Sequence, residues 1–527
     1  MNQPAQSRWW SAPVRRPGVA AALASLVVLA VALRAIEPLP VGVMYDDGLY
    51  VILAKSLATG QGYRWLNIPG APPATHYPPG YPAVLSLVWR AFPSFPANVL
   101  AFKVLNAVLL ALTAASLVQL ASRRLRFSAG AAAITAVVGC AAIPTLVLTT
   151  LVMSETLFLA ALCPLLLFGE RVVDGGRRNW EPILLGGLAA ALCMVRTHGI
   201  AFAGAMVLAL AMRRRWRDVV LFGIPFVACM APWQIWQSVH QGSVPVVMQG
   251  SYASYGAWLA HGFESAGLAL AGRTISRTST ELFANVVVMA GAGLPLVARA
   301  IAAFGALLLF GIGMVRMRRL SQVTFLFVCA YLGIVLIWPF SPSRFVWGIW
   351  PVLTLVVALG VAVVWEWRPG TISLQAARVA AGVGVTAVFC GYATYTARGY
   401  RGHWWSSISR QAGQVTRPLV RWTMQHTQPN EVVASNDEPL LYLYTGRRSV
   451  PVGSLSIDEY FTPTSVAARM DGLRSILHAF PIDAIAVMAN DSVSAAARTL
   501  AAGATPELVL RDSIPNGVIF APSSTLR

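Results

Sequence analysis

The hydrophobic positions of this chain gather into runs of bilayer length. A helix needs roughly 20 apolar residues to cross a membrane, and by that measure about eleven spans are predicted, over 18–37, 98–121, 128–150, 154–170, 182–196, 199–212, 218–237, 297–315, 321–340, 344–366 and 375–396. Runs five and six share the stretch "PILLGGLAAALCMVRTHGIAFAGAMVLALAM", which also reads as one long helix. The short connections decide between the two readings. Arginines at Arg123, Arg171, Arg213, Arg316 and Arg368 fall on one side, with Arg15 and Arg16, only if that stretch crosses twice, and positive charge marks the cytoplasmic side. The first run reads as an anchor, because no small-residue cleavage site follows "ALRAIEPLP". From Arg398 the pattern changes to short strands and helices: "EVVASN", "IDAIAVMAN" and "GVIFAP" as strands, and "EPLLYLYTG" as a helix ending at Gly446.

The fold class expected is therefore an α-helical polytopic membrane protein with a C-terminal soluble α/β domain. The division is 1–397, with external loops 38–97 and 238–296, and 398–527. The second loop is too long for a simple connector and is expected to carry interfacial helices.

Composition supports this class. The 527 residues are 56% hydrophobic and 12% charged, with mean hydropathy +0.62, too few charges to cover a soluble protein. The net charge of +19 sits in short arginine clusters between apolar runs, not along one polar face, so membrane topology explains it and a nucleic-acid partner is not expected. The six cysteines lie one to a run, without CxxC spacing, and read as small packing residues. A multi-pass protein of the inner (plasma) membrane follows, its N-terminus cytoplasmic and its tail outside.

This topology collects chemistry on one face. The loop with Asp46 and Asp47, the connection with Ser154 and Glu155, the turn with Arg196 and His198, and the "PFSPSR" turn with Arg344 all become extracytoplasmic. Acids and bases arriving from separate connections are what a site on a helical scaffold requires.

Within "YDDGLYVILAKSLATGQGYRWLNIPGAPPATHYPPGYPAVLSLVWRAF" the order of features is an acidic pair, Asp46 and Asp47, then Tyr50, the turn Gly60-Gln61-Gly62-Tyr63, and Pro78-Pro79 opening the next apolar helix. This resembles the first external loop of the GT-C glycosyltransferases that use lipid-phosphate sugars, a group including protein O-mannosyltransferases and lipid A aminoarabinose transferases. "MSETLF" around Glu155, "APWQIWQSVHQGSVP" from Ala231, "SPSRFVWGIWPVL" around Arg344 and the tail's "TQPNEVVASNDEPLLYLYTGRRSVP" extend the resemblance. One position departs from it. Aminoarabinose-transferase relatives carry a lysine before the paired prolines, where this chain has His76 and Tyr77.

The resemblance implies a polyprenyl-phosphate sugar donor and a glycan, lipid or protein acceptor, in the setting of membrane lipid. It implies a hexosyl- or pentosyltransferase that inverts the anomeric carbon. Asp46 would be the general base, with Asp47 and Glu155 orienting the acceptor or tuning that base. Arg344, Arg196, His198 and Arg64 would bind the donor phosphate, and His76, Tyr77 and Tyr50 would contact acceptor or sugar. No cofactor is required; the carboxylates leave a divalent metal open, although no strong ligand spacing marks one.

Each residue also has a structural reading. Asp46, Asp47 and Glu155 would cap helix N-termini, Arg344 would anchor at the interface, and His198 would be a polar turn residue. Tyr63, Trp65, Tyr77 and Tyr81 would form an interfacial aromatic belt. Three other functions compete: a transporter or flippase of lipid-linked sugars, which should place ionisable groups near mid-membrane, a non-catalytic assembly or scaffold protein, and a polymerase or ligase using lipid-diphosphate oligosaccharides.

Overall fold

The computed structural model describes residues 17–175, 178–367, 372–455, 459, 461 and 464–523. Arg15, Arg16 and Arg368 lie outside them. Six helices are long and apolar enough to cross a membrane: Pro17–Ala35, Val99–Arg123, Glu155–Val173, Trp216–Val239, Leu296–Leu320 and Gln375–Arg401. Ala129–Cys140 and Ile143–Thr150, bent by 57°, make a seventh if taken as one span. The remaining apolar runs lie on shorter helices, Trp180–Val195, Thr197–Met212, Gln322–Ile337 and Trp350–Glu366. Length and composition thus identify six or seven spans among the described residues, where about eleven were expected. The protein is multi-pass.

Burial separates inner from outer helices. In Val99–Arg123 and Glu155–Val173, 61% of the apolar window is buried, against 6% in Gln375–Arg401 and 11% in Trp216–Val239. The last of these exposes Val220, Ile224, Val227 and Ile235, apolar side chains suited to lipid tails. The run 182–212 breaks at Arg196, whose backbone is extended, and resumes as a 3-10 turn over Thr197–Gly199. Gly199 lies so close to the backbone of Leu192 and Cys193 that a Cβ there would approach to 2.8 Å. The close approach holds Arg196 and His198 at a tight corner.

The loop 38–97 folds with two helices, Asp46–Ala58 and Gly80–Ala91. The loop 238–296 contains Tyr255–Ala266 and Leu268–Ala290. The last long helix continues to Arg401, so the expected boundary at 397 falls inside it. A further helix, Ser407–His426, leads to a sheet of β1 (Val432–Ser435), β2 (Arg448–Pro451), β3 (Ala484–Met488), β4 (Leu508–Ile514) and β5 (Gly517–Pro522).

The strand order is β2-β1-β3-β5-β4. β1 pairs in parallel with β2 and β3, while β5 runs antiparallel to β3 and β4. β1 is buried along its length, as parallel strands covered on both faces should be. Leu419 and Trp422 of the preceding helix pack on Val433, Ala484 and Ile519. The short "RSVP" and the half-polar "LVLRDSI" gave no strand expectation, since neither carries a clear two-residue alternation of burial.

This domain docks directly on the first loop. A Cβ on Gly48 would come within 2.8 Å of Pro439, and one on Gly42, at φ +92°, within 2.9 Å of Leu440. Only glycine allows the loop helix and the helix Glu438–Thr445 to meet this closely.

Candidate active site

The two aspartates of the first loop serve different ends. Tyr45 has φ 64° and ψ −67°, and the Asp46 N–H donates to the Met44 carbonyl at 2.7 Å. That is a γ-turn of the rare, strained kind, and for an aromatic residue it is a backbone outlier. Its surroundings hold it. The Asp47 carboxylate turns back and accepts from Gly42 N at 2.8 Å and Met44 N at 2.9 Å, while the Tyr45 hydroxyl donates to Glu438 at 2.6 Å. Asp47 is fully buried and does not line the cavity. The sharp turn sends Asp46 the other way.

Asp46 faces a cavity of about 430 Å³. There it accepts from the Tyr77 hydroxyl at 2.6 Å and from Arg344 Nη1 at 2.7 Å. Arg344 also donates Nε to Glu155 Oε1 at 3.0 Å, and Arg196 reaches the same oxygen at 2.7 Å. The four groups form a chain of alternating charge, Asp46, Arg344, Glu155, Arg196, whose net charge is zero. Arg196 further donates to Ser154 Oγ at 2.9 Å, which lies 3.2 Å from the Tyr50 hydroxyl. Burial by itself would raise the pKa of Asp46, but the Arg344 charge and the Tyr77 and Arg344 hydrogen bonds outweigh it and hold the carboxylate below its ordinary range.

Each partner arrives on a separate element. Tyr77 sits just before the paired prolines, and Arg344 is carried on the short helix Pro342–Trp347. Glu155 opens the helix Glu155–Val173. That corner is pinned where Tyr81 donates to Asn106 Oδ1 and Asn106 Nδ2 donates to the Leu151 carbonyl, both at 3.0 Å.

His76 pairs through Nδ1 with the carbonyl of Ala253. Burial pushes its pKa down to about 4, so it is neutral at pH 7, with Nδ1 as the donor. His198 lies against Phe345, ring centroids 5.0 Å apart, and its Nε2 has no partner among the described residues. Both histidines line the cavity with Tyr50, Tyr77, Arg196 and Arg344. Arg64 does not: it is exposed and donates to the Ala71 carbonyl at 3.1 Å. Of the candidate residues, Arg64 and Asp47 therefore stay off the cavity wall, and Glu155 touches it only through its arginines.

Sequence reasoning missed the other wall. Ser435, Asn436, Glu438 and Asp491 of the α/β domain line the same cavity. The signal was the polar "SNDE" at the end of β1. Its meaning depends on β1 and β3 being neighbours, which no local pattern shows.

Among the described residues, no three His, Cys, Asp or Glu side chains converge as a metal site. Asp46 and Glu155 are already bridged by Arg344, and a divalent ion between them would have to displace that guanidinium.

The fold is similar to those of two solved proteins, ArnT and AglB. Two structures of ArnT from Cupriavidus metallidurans, one bound to undecaprenyl phosphate and one apo, match with TM-scores of 0.55 and 0.56 at 14% identity. Each match covers 96% of this chain and 98% of ArnT. The archaeal oligosaccharyltransferase AglB from Archaeoglobus fulgidus, in complex with an inhibitory peptide and a dolichol-phosphate, matches with TM-score 0.50 at 12% identity, over 88% of this chain and 69% of AglB. No family model and no curated protein sequence matches the chain. At these identities the likeness is one of fold.

Proposed function

We propose that this protein is an inverting glycosyltransferase that moves a sugar from a polyprenyl-phosphate donor to an acceptor hydroxyl on the extracytoplasmic side of the inner membrane. The observation that carries the reading is the chain Asp46–Arg344–Glu155–Arg196 at the wall of the cavity. ArnT bound to undecaprenyl phosphate and AglB bound to dolichol-phosphate support the donor class.

In the ligand-free arrangement both arginines are occupied by carboxylates. A lipid phosphate entering from the bilayer would compete with Asp46 for Arg344. As the guanidinium turns to the phosphate, Asp46 loses the charge that lowers its pKa and becomes a stronger base. The acceptor oxygen then attacks the anomeric carbon, the bond from that carbon to the phosphate oxygen breaks, and the electron pair leaves on the lipid phosphate. Asp46 takes the hydroxyl proton. Arg344 and Arg196 stabilise the charge that develops on the leaving group, in a site where low dielectric strengthens them. Tyr77 keeps the Asp46 carboxylate aimed. Glu155, held by two arginines, sets their spacing and does not touch the acceptor.

Membranes containing the protein, incubated with radiolabelled polyprenyl-monophosphate sugars, should transfer label to protein, lipid or glycan and release free polyprenyl phosphate. Transfer from diphosphate donors alone would replace this reading with that of an oligosaccharide polymerase or ligase. Movement of labelled donor across the bilayer without transfer would make the protein a flippase.

A further inference from the structure

Glu438 follows β1 at the carboxyl ends of the parallel strands β1 and β3. In a doubly wound sheet a crevice opens there, between neighbouring strands whose connections leave in opposite directions. Here the crevice is roofed onto the membrane domain, and its far wall carries Asp46 and Arg344.

Glu438 is 1% exposed. Its Oε1 accepts from the hydroxyls of Tyr45 at 2.6 Å and Tyr252 at 2.8 Å. Its Oε2 has no hydrogen-bond partner among the described residues, although the residue lines the cavity. A buried polar atom left without a partner is destabilising, and native proteins rarely keep one. Burial raises the pKa of this carboxyl to about 8, more than the two tyrosine bonds lower it. At neutral pH it is protonated. Because Oε1 already receives two hydroxyls, the proton belongs on Oε2, a donor without an acceptor.

Two residues earlier in the chain, and lining the same cavity, Asn436 gives its Nδ2 to Asp491 and keeps an unpartnered Oδ1, an acceptor without a donor. A hydroxyl group is both donor and acceptor and satisfies the two together. An anion would meet the Asp491 carboxylate, which lines the same cavity.

We infer that Glu438 and Asn436 form a hydroxyl-binding subsite, on the soluble-domain wall of the cavity, for a carbohydrate. The inference deepens the glycosyltransferase reading and rests on it only for assigning the arginine wall to phosphate. The hydroxyls belong either to the donor's sugar or to the acceptor.

The test uses the purified full-length protein in nanodiscs, with a panel of methyl pentosides and hexosides and, separately, undecaprenyl phosphate as probes. At least one glycoside should bind the wild type. Glu438→Gln, which keeps an acceptor toward the tyrosines and a donor in place of the protonated Oε2, should bind it within about threefold. Glu438→Leu should weaken it tenfold or more and leave undecaprenyl phosphate affinity unchanged. Tyr45→Phe removes one tether from Oε1 and leaves Oε2 intact, so glycoside affinity should persist.

A polyprenyl-phosphate sugar that outbinds undecaprenyl phosphate in the wild type but not in Glu438→Leu assigns the hydroxyls to the donor. Equal gain in both proteins assigns them to the acceptor. No glycoside binding by the wild type, equal binding by Glu438→Leu, or a loss in Tyr45→Phe as large as in Glu438→Leu would overturn the subsite. Failure of undecaprenyl phosphate to bind, with glycoside binding still dependent on Glu438, would overturn the donor reading and leave the subsite standing.

Discussion

The helix Glu155–Val173 carries a buried glutamate near each end, and the two are held in opposite ways. Glu170 is met by neutral donors: Oε1 accepts from Ser321 Oγ at 2.5 Å, from Thr324 N at 2.9 Å and from Thr324 Oγ1 at 3.1 Å. It caps the start of the helix Gln322–Ile337. Glu155, 15 residues earlier and about 22 Å away along the axis, is met by two guanidinium groups, one of which also holds Asp46. Its Oε2 is unpartnered among the described residues. A structural carboxylate is satisfied by fixed dipoles. The one at the cavity is balanced by cations that an incoming anion can claim.

The same contrast separates the adjacent Asp47 and Asp46. Asp47 meets two backbone amides, while Asp46 meets a tyrosine and an arginine at the cavity.

The largest effect is expected at the cavity end. Asp46→Asn keeps the size of the side chain and removes the proton acceptor, so turnover should fall by about 10²- to 10⁴-fold while undecaprenyl phosphate binding and protein level persist. Turnover near wild type would place Asp46 with Asp47 among structural groups and erase the contrast.

Arg344→Ala comes next. It leaves Asp46 and Glu155 without their shared cation and should weaken donor binding by about 2–5 kcal/mol, the usual effect of truncating one partner of a buried charge pair. Arg344→Lys should retain part of the affinity, as a point charge without the fork. Titration of undecaprenyl phosphate into the three proteins ranks them, and equal affinities would make Arg344 an anchor.

At the structural end, Glu170→Ala strands the Thr324 amide and should destabilise the fold by about 1–3 kcal/mol. Donor affinity should stay as it was. A thermal midpoint in detergent and the same titration read the two halves of that statement, and a donor defect would mean that the helix ends are coupled.

A further effect is one of pH. Glu438 keeps its proton in the folded protein up to about pH 8, whereas its ordinary value is 4.5. Between these values the folded state binds more protons than the unfolded one, so this group makes stability fall as pH rises, by up to about 1.4 kcal/mol per pH unit. Above pH 8 its contribution is flat. Glu438→Gln should remove that slope from a plot of thermal midpoint against pH. An unchanged slope would put Glu438 among ordinary ionised carboxylates.

The apolar runs were legible in the sequence because a bilayer demands contiguous hydrophobic length, which is a local property. So was the acidic pair before an apolar helix, and so was the crowding of Arg196, His198, Glu155 and Arg344 into short connections. The strand "EVVASN" and the helix ending at Gly446 were also local, and the structure has β1 at Val432–Ser435 and a left-handed Gly446 after Thr445. The different roles of Asp46 and Asp47 were not legible. They depend on a γ-turn at Tyr45, an unfavourable local conformation that persists because Asp47 accepts from the Gly42 and Met44 amides and Glu438, almost 400 residues away, holds the tyrosine hydroxyl. The second wall of the cavity was hidden for the same reason. Asn436, Glu438 and Asp491 read as ordinary polar residues until β1 and β3 pair and the domain docks through Gly42 and Gly48. A pattern along the chain reports the solvent each segment requires; which side chains share a cavity depends on contacts between distant segments, and only the folded chain makes them.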